Sequence, residues 1–259
     1  MKRALVTGAA RRLGRSMALH LAQHGYDVAV HYSQSHEDAG ETVDEIRALG
    51  GMAEALPADL LNESEMAQLV PQAAEALGGS LCVLINNASI FERDTIETVT
   101  RTSWDRHLDS NLRAPFVLTQ AFAAQVPDPV LDSEGEPEAQ GLVINMIDQR
   151  VRRLTPDFMS YTLAKSALWT LTQTAAQALA PRIRVNAIGP GPTLRGEHQT
   201  AAQFAQQRQA TILGRGADEE DITAALNYLI NARSVTGQMI AVDGGQHLSW
   251  ETPDVLGLE

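Results

Sequence analysis

Short apolar runs rich in Val, Ile and Leu alternate along the chain with longer segments whose apolar positions recur every three or four residues. The runs at 4–7, 27–31, 52–56, 81–86, 142–146, 184–188 and 239–242 predict strands. Their apolar character is nearly continuous rather than alternating, as in a parallel sheet covered on both faces. Segments 13–24, 37–49, 63–77, 101–125, 158–179, 201–209 and 219–230 predict helices. This succession predicts an α/β fold: one Rossmann-type, doubly wound domain over residues 1–259. It has about seven parallel strands, right-handed crossovers and helices on both faces.

One stretch breaks the pattern. "VPDPVLDSEGEPEAQG" (126–141) is rich in Pro, Gly and acids and reads as a solvated surface loop between a helix and the next strand. No repeat or interdomain linker is visible. With 44% hydrophobic and 20% charged residues, the chain belongs with globular rather than disordered proteins. The net charge of −12 argues against nucleic acid or an anionic membrane as partner, so the arginines at 11, 12 and 15 call for a local explanation. The single cysteine, Cys82, excludes an internal disulfide and a multi-cysteine metal site, and within "LCVLI" it reads as strand filling. No metal is expected. No apolar run approaches the roughly 18 residues that span a bilayer. With no signal-peptide core ahead of "ALVTG", the cytoplasm is the expected compartment.

The first candidate chemistry follows the first strand. In "TGAARRLGRSMA" Gly8 and Gly14 flank a turn into a helix, where backbone N–H groups can meet a pyrophosphate. An ordinary tight turn has the same composition, and the match to G-x-G-x-x-G is imperfect. Arg12 stands where a third glycine is usual. At the end of the second strand "HYSQS" (31–35) has no acid of the kind that binds the ribose hydroxyls of NAD. Arg12 with His31, Ser33 and Ser35 therefore favours NADP(H), whose 2′-phosphate an acid would repel. A surface arginine beside a hydrophilic loop is the plainer alternative. Asp59, after the third strand, can accept from an adenine amine, and "NNAS" (86–89) follows the fourth at the sheet edge where ligands bind. For Asn86 a role in holding the loop is the better reading.

Tyr161 and Lys165, four apart, share a helix face. A neighbouring ammonium lowers the pKa of a phenol and makes it an acid–base catalyst. Alone, Tyr-x-x-x-Lys is common by chance; its position after the fifth strand gives it weight. Thirteen residues before Tyr161 stands Asp148, an acid at a strand end. Such a carboxylate needs a partner or a task, and Arg150, Arg152 and Arg153 are candidate partners.

In order and spacing, "TGAARRLG", "NNAS", "SNLRAPF", "YTLAK", "RVNAIGPGP" and "VTGQMIAVDGG" resemble the short-chain dehydrogenase/reductase superfamily over essentially the whole chain. The resemblance implies that Tyr161 is the proton donor and that Lys165 binds the nicotinamide ribose. It implies a water held by Asn111, and Pro190 and Gly191 beside the nicotinamide. Leu13, Asn87, Ala88 and Ser89 are further implied cofactor contacts.

Most of that superfamily has serine where this chain has Asp148. An ionised carboxylate cannot donate to a carbonyl and instead suits a substrate presenting N–H donors. In carrying this aspartate the chain is similar to the pteridine reductases and the bacterial dihydromonapterin and dihydrofolate reductases. Gln34 replaces an arginine of their "HY-x-R-S" segment. The resemblance places Phe91 under a stacked pterin, with Ser89 and Phe158 in the same pocket.

The expected activity is NADPH-dependent reduction of a pterin or dihydropterin, protonated through Tyr161 or near Asp148. The alternatives are a carbonyl reductase in which Asp148 is incidental, and a non-catalytic NADP-binding sensor or scaffold. Intact Asn111, Tyr161 and Lys165 argue against the last. The small and apolar faces of helix 158–179, with the family resemblance, imply a homotetramer or homodimer. Segment 193–209 corresponds to the family's substrate lid, and tail 246–259, with Trp250, Val255 and Leu256, is an expected subunit contact.

Overall fold

The computed structural model describes residues 2–196 and 199–251. Seven parallel strands form the central sheet: β1 (Lys2–Val6), β2 (Tyr26–Tyr32), β3 (Ala53–Pro57), β4 (Val83–Asn86), β7 (Gly141–Met146), β8 (Ile183–Pro190) and β9 (Met239–Val242). Their order is β3-β2-β1-β4-β7-β8-β9. The chain winds outward from β1 through β2 to β3, then returns so that β4 pairs on the other side of β1. This reversal opens a crevice at the carboxyl ends of β1 and β4, where a doubly wound sheet takes its ligand.

Side chains alternate between two cores. From β1, Ala4 and Val6 pack with Met17, Leu21, Ile46 and Leu226, whereas Leu5 points the other way, with Leu69, Leu84, Leu118 and Phe122. The first core lies under α1 (Arg12–Gln23), α2 (His36–Ala48) and α8 (Glu219–Asn231). The second lies under α3 (Glu63–Ala76), α5 (Ala114–Gln125) and α6 (Met159–Leu179). Burial of both faces accounts for the near-continuous apolar strands.

Two local expectations change. The segment expected as one helix over 101–125 divides into α4 (Arg101–Leu108), a π-turn at Asp109–Arg113 and α5. The 126–141 excursion is not wholly irregular: β5 (Val130–Leu131) and β6 (Pro137–Glu138) pair as a small antiparallel hairpin. Its turn is closed by Asp132, whose Oδ1 accepts from the amides of Glu134 and Glu136. The lid region forms α7 (Ala201–Gln209), capped by Thr200 and Gln203. Val255 and Leu256 of the expected subunit-contact tail lie outside the described residues. Among the described residues no helix is long and apolar enough to cross a membrane, and none of them cluster as a metal site.

Candidate active site

A cleft of about 480 Å³ opens at the carboxyl ends of β1, β4, β7 and β8. At one end, the turn after β1 is cross-braced to the end of β4. Thr7 Oγ1 accepts from the amides of Asn87 and Ala88, both at 2.9 Å, and Asn87 Nδ2 donates to the carbonyls of Thr7 and Gly8. The bracing leaves no room for side chains. A Cβ on Gly14 would lie 2.1 Å from the Gly8 oxygen, and Gly8 itself has φ +61°. Glycines here let the backbone approach a ligand closely, as a pyrophosphate cradle requires. Gly191 serves similarly on β8's exit loop, where a Cβ would meet Asp243 at 2.6 Å.

Three of the expected cofactor residues behave differently. Both ring nitrogens of His31 are committed: Nδ1 accepts from the Gly8 amide and Nε2 donates to the Ala58 carbonyl, each at 3.0 Å. Burial pushes its pKa down to about 4. A neutral ring with no free nitrogen holds the Gly8 turn and supplies no charge to a phosphate. Ser35 and Asp59 do not line the cleft. Ser35 sits at the start of α2, and Asp59 Oδ1 accepts from the Leu61 amide in the turn leading to α3. Ser33 and Arg12 do line it, Arg12 with its guanidinium donating to the carbonyls of Leu194 and Arg195 across the mouth. The neighbouring arginines are explained by α2: Arg11 pairs with Asp38 and Arg15 with Glu45.

At the other end, Asp148 follows β7, and Tyr161 and Lys165 lie on the first turns of α6. The Tyr161 hydroxyl donates to Asp148 Oδ2 at 3.0 Å, and the Arg150 amide donates to Oδ1 at 2.8 Å. Asp148 is thus both a loop cap and a partner of the phenol. Burial raises its carboxyl above the usual range, opposed by the Arg150 amide and guanidinium. Burial, and then the Asp148 charge, raise the Tyr161 phenol well above 10, so the proton rests on tyrosine. The buried Lys165 ammonium donates to the Met146 carbonyl at 2.7 Å, and burial lowers its pKa to about 8. Ser89 lines the cleft with its hydroxyl beside the phenol.

Phe91 lines the cleft, half exposed, in a T-shaped pair with Tyr161 at 4.7 Å between ring centroids. Phe158 stacks on Phe91 at 4.3 Å, nearly parallel, and the Arg150 guanidinium covers Phe158 at 5.0 Å. Phe158 therefore backs Phe91 instead of lining the pocket itself. Asn111 does not line the cleft. It is fully buried in the π-turn, and its side chain exchanges two hydrogen bonds with the backbone of Ile90, at 2.9 and 3.1 Å. Its side-chain oxygen and one of its two amide N–H groups hold the Ile90 backbone next to Phe91. Asn86, as expected, is interior bracing, donating to Asn145 at 2.8 Å. The cleft also takes in Thr193 and Leu194, the first residues of the expected lid segment 193–209, and Met146 and Ile147, legible only as the residues before Asp148.

A family model described as enoyl-(acyl carrier protein) reductase matches residues 8–247. The 3-oxoacyl-[acyl-carrier-protein] reductase FabG of Staphylococcus aureus is 32% identical over 252 residues, 95% of this chain and 98% of that protein. The crystal structure of FolM alternative dihydrofolate reductase 1 from Brucella suis, in complex with NADP, is 44% identical. It superposes with a TM-score of 0.91 over 98% of each chain. The angucycline C-6 ketoreductase LanV with bound NADP is 31% identical, with a TM-score of 0.86 over 96% of each chain.

Proposed function

The chain belongs to the short-chain dehydrogenase/reductase family and is an NADP-dependent reductase, and from that premise we propose that its substrate is a pterin or dihydropterin. The observation that carries the reading is the carboxylate of Asp148, hydrogen-bonded to Tyr161 where the family generally has serine. The 44% identity to a protein named as an alternative dihydrofolate reductase supports it.

The residues suit a bound dinucleotide: a side-chain-free cradle at Gly8 and Gly14, Arg12 and Ser33 at the adenosine end, and Lys165 beside Tyr161 at the other. Bound NADPH supplies a hydride. Tyr161 holds a proton on its oxygen and gives it to a ring nitrogen as hydride reaches the neighbouring carbon, or a water held near Asp148 delivers that proton instead. Asp148 accepts N–H donors of an amino-pyrimidine edge, which a serine matches less well. Phe91 offers its ring to a flat substrate while Phe158 and Arg150 support it from behind. Lys165 keeps a positive charge near the phenol and balances Asp148.

The second reading is reduction of a ketone or acyl carbonyl, favoured by the 32% identity to FabG and the 31% identity to a ketoreductase. NADPH oxidation with dihydropterins, dihydrofolate and a ketone panel separates the two. Pterin turnover that falls at least a hundredfold in Asp148→Ser is expected; ketone turnover alone, retained or improved in that variant, would sink the pterin reading. We also propose a cytoplasmic homotetramer or homodimer. The exposure of Leu163 on α6, beside half-buried Ala167, Leu171 and Ala175, supports a subunit contact there.

A further inference from the structure

Helix α6 carries Tyr161 and Lys165 yet has no cap of its own. Its N-cap residue, Phe158, is left-handed at φ +57° and makes no side-chain capping bond. The open amides are met from a distance by Asp94, a buried residue of the loop between β4 and α4. The Asp94 carbonyl accepts from the amides of Phe158 at 2.8 Å and Met159 at 3.4 Å. Its carboxylate accepts from the Ser160 amide at 3.1 Å and from the Ser160 hydroxyl. A carboxylate at a helix N-terminus is favoured by the helix dipole as well as by these bonds.

The same cluster reaches Phe91 through His107 of α4, which is fully buried. His107 Nε2 accepts from the Glu92 amide at 3.1 Å, so the ring proton must sit on Nδ1. Nδ1–H then donates to Ser160 Oγ at 2.6 Å, and the Ser160 hydroxyl donates to the Asp94 carboxylate. The chain of donors runs from Glu92 through His107 and Ser160 to Asp94. In a nucleophilic triad the carboxylate orients the histidine and the serine is left free. Here the carboxylate lies on the serine, and the serine is closed in. The arrangement holds position instead of attacking.

Phe91 therefore lies between two fixed neighbours, Ile90 held by Asn111 and Glu92 held by His107. Tyr161 directly follows Ser160 in the same network. We infer that His107, acting through Ser160 and Asp94, is a positioning residue that fixes the ring of Phe91 relative to the hydroxyl of Tyr161. It thereby sets how a flat substrate is presented to the proton donor. The inference rests on reading Tyr161 as that donor, but the geometry of the network can be tested without any substrate.

Selective ¹⁵N-histidine labelling of the whole protein should show His107 neutral at pH 7, with the proton on Nδ1. An Nε2–H or doubly protonated ring overturns the network. Amide exchange in residues 89–94 and 158–161 should quicken at least tenfold in His107→Leu and in Ser160→Ala, with the sheet strands unchanged. Unaltered exchange overturns the tie between loop and helix. Ser160→Ala, which removes a single hydroxyl, carries the same test if His107→Leu does not fold. In turnover, KM for the ring substrate should rise at least tenfold while KM for NADPH stays within twofold. Equal rises in both would mean general loosening and would overturn the positioning role. If the parent protein reduces none of the substrates tried, the reductase substrate reading fails alone, and the labelling and exchange results still decide the network.

Discussion

The charge on Lys165 is held by a narrow margin. Burial draws its pKa from 10.5 to about 8, with Asp148 opposing the fall. Tyr161, raised by the same burial, keeps its proton throughout the neutral range. The pH dependence of reduction therefore belongs to the lysine. Below about 8 it is an ammonium and the site is complete; above about 8 it becomes neutral and its support of the phenol disappears. We expect kcat/KM with NADPH to be level from pH 6.5 to about 7.5 and to fall tenfold per unit well above 8. A profile still level at pH 9.5 would contradict this. Lys165→Arg should abolish the inflection, since a guanidinium does not titrate there.

At the scale of the element, the turn between β1 and α1 has the least tolerance. Gly14→Ala would put a Cβ 2.1 Å from the Gly8 oxygen and 2.6 Å from Asn87 Nδ2. Neither backbone nor a doubly bonded amide can retreat without moving the helix. Overpacking of this kind costs about 1–3 kcal/mol. Calorimetric NADP titration should show at least tenfold weaker binding to a protein that remains folded; unchanged affinity would show that α1 can shift freely. What the sequence could reveal divides along the same line. Strands, helices and the β1–α1 turn follow from local patterns, because apolar continuity and glycine placement are written into adjacent residues. The same holds for Tyr161, Lys165 and Asp148, whose spacing alone puts them at one strand end and one helix face. Phe158, Asn111 and His31 have contacts that the local sequence does not show, because each depends on a partner 20 or more residues away: Phe91, Ile90 and the Gly8 amide. The cap that Asp94 gives α6 likewise has no local signature. Segment 101–125 reads as one helix because the π-turn joins α4 to α5 with Asp109 and Arg113 still at helical backbone angles.

For the whole molecule, three buried or half-buried histidines resist protonation: His31, His20 and His107 are all lowered, chiefly by burial. The folded state keeps them neutral, whereas the unfolded chain protonates near the ordinary 6.5. Their contribution is thus complete above about 6.5 and is lost as pH falls toward the folded values, about 4 for His31. His31 alone corresponds to roughly 3 kcal/mol over that interval, as an order of magnitude. Urea midpoints should decline steadily between pH 7 and 4.5, and His31→Gln should flatten the decline; midpoints independent of pH would refute the assignment.

The committed ring of His31 bears on redesign of cofactor choice. A histidine at the end of β2 invites replacement by anyone seeking to convert the protein from NADP to NAD. Yet it is structural scaffolding: its two nitrogens join the glycine turn to the Ala58 carbonyl at the foot of the third strand. Replacing it would loosen the cradle for either dinucleotide alike. We propose Arg12 and Ser33, which line the cleft, as the positions that set selectivity, with an engineered acid at position 33 and His31 left intact.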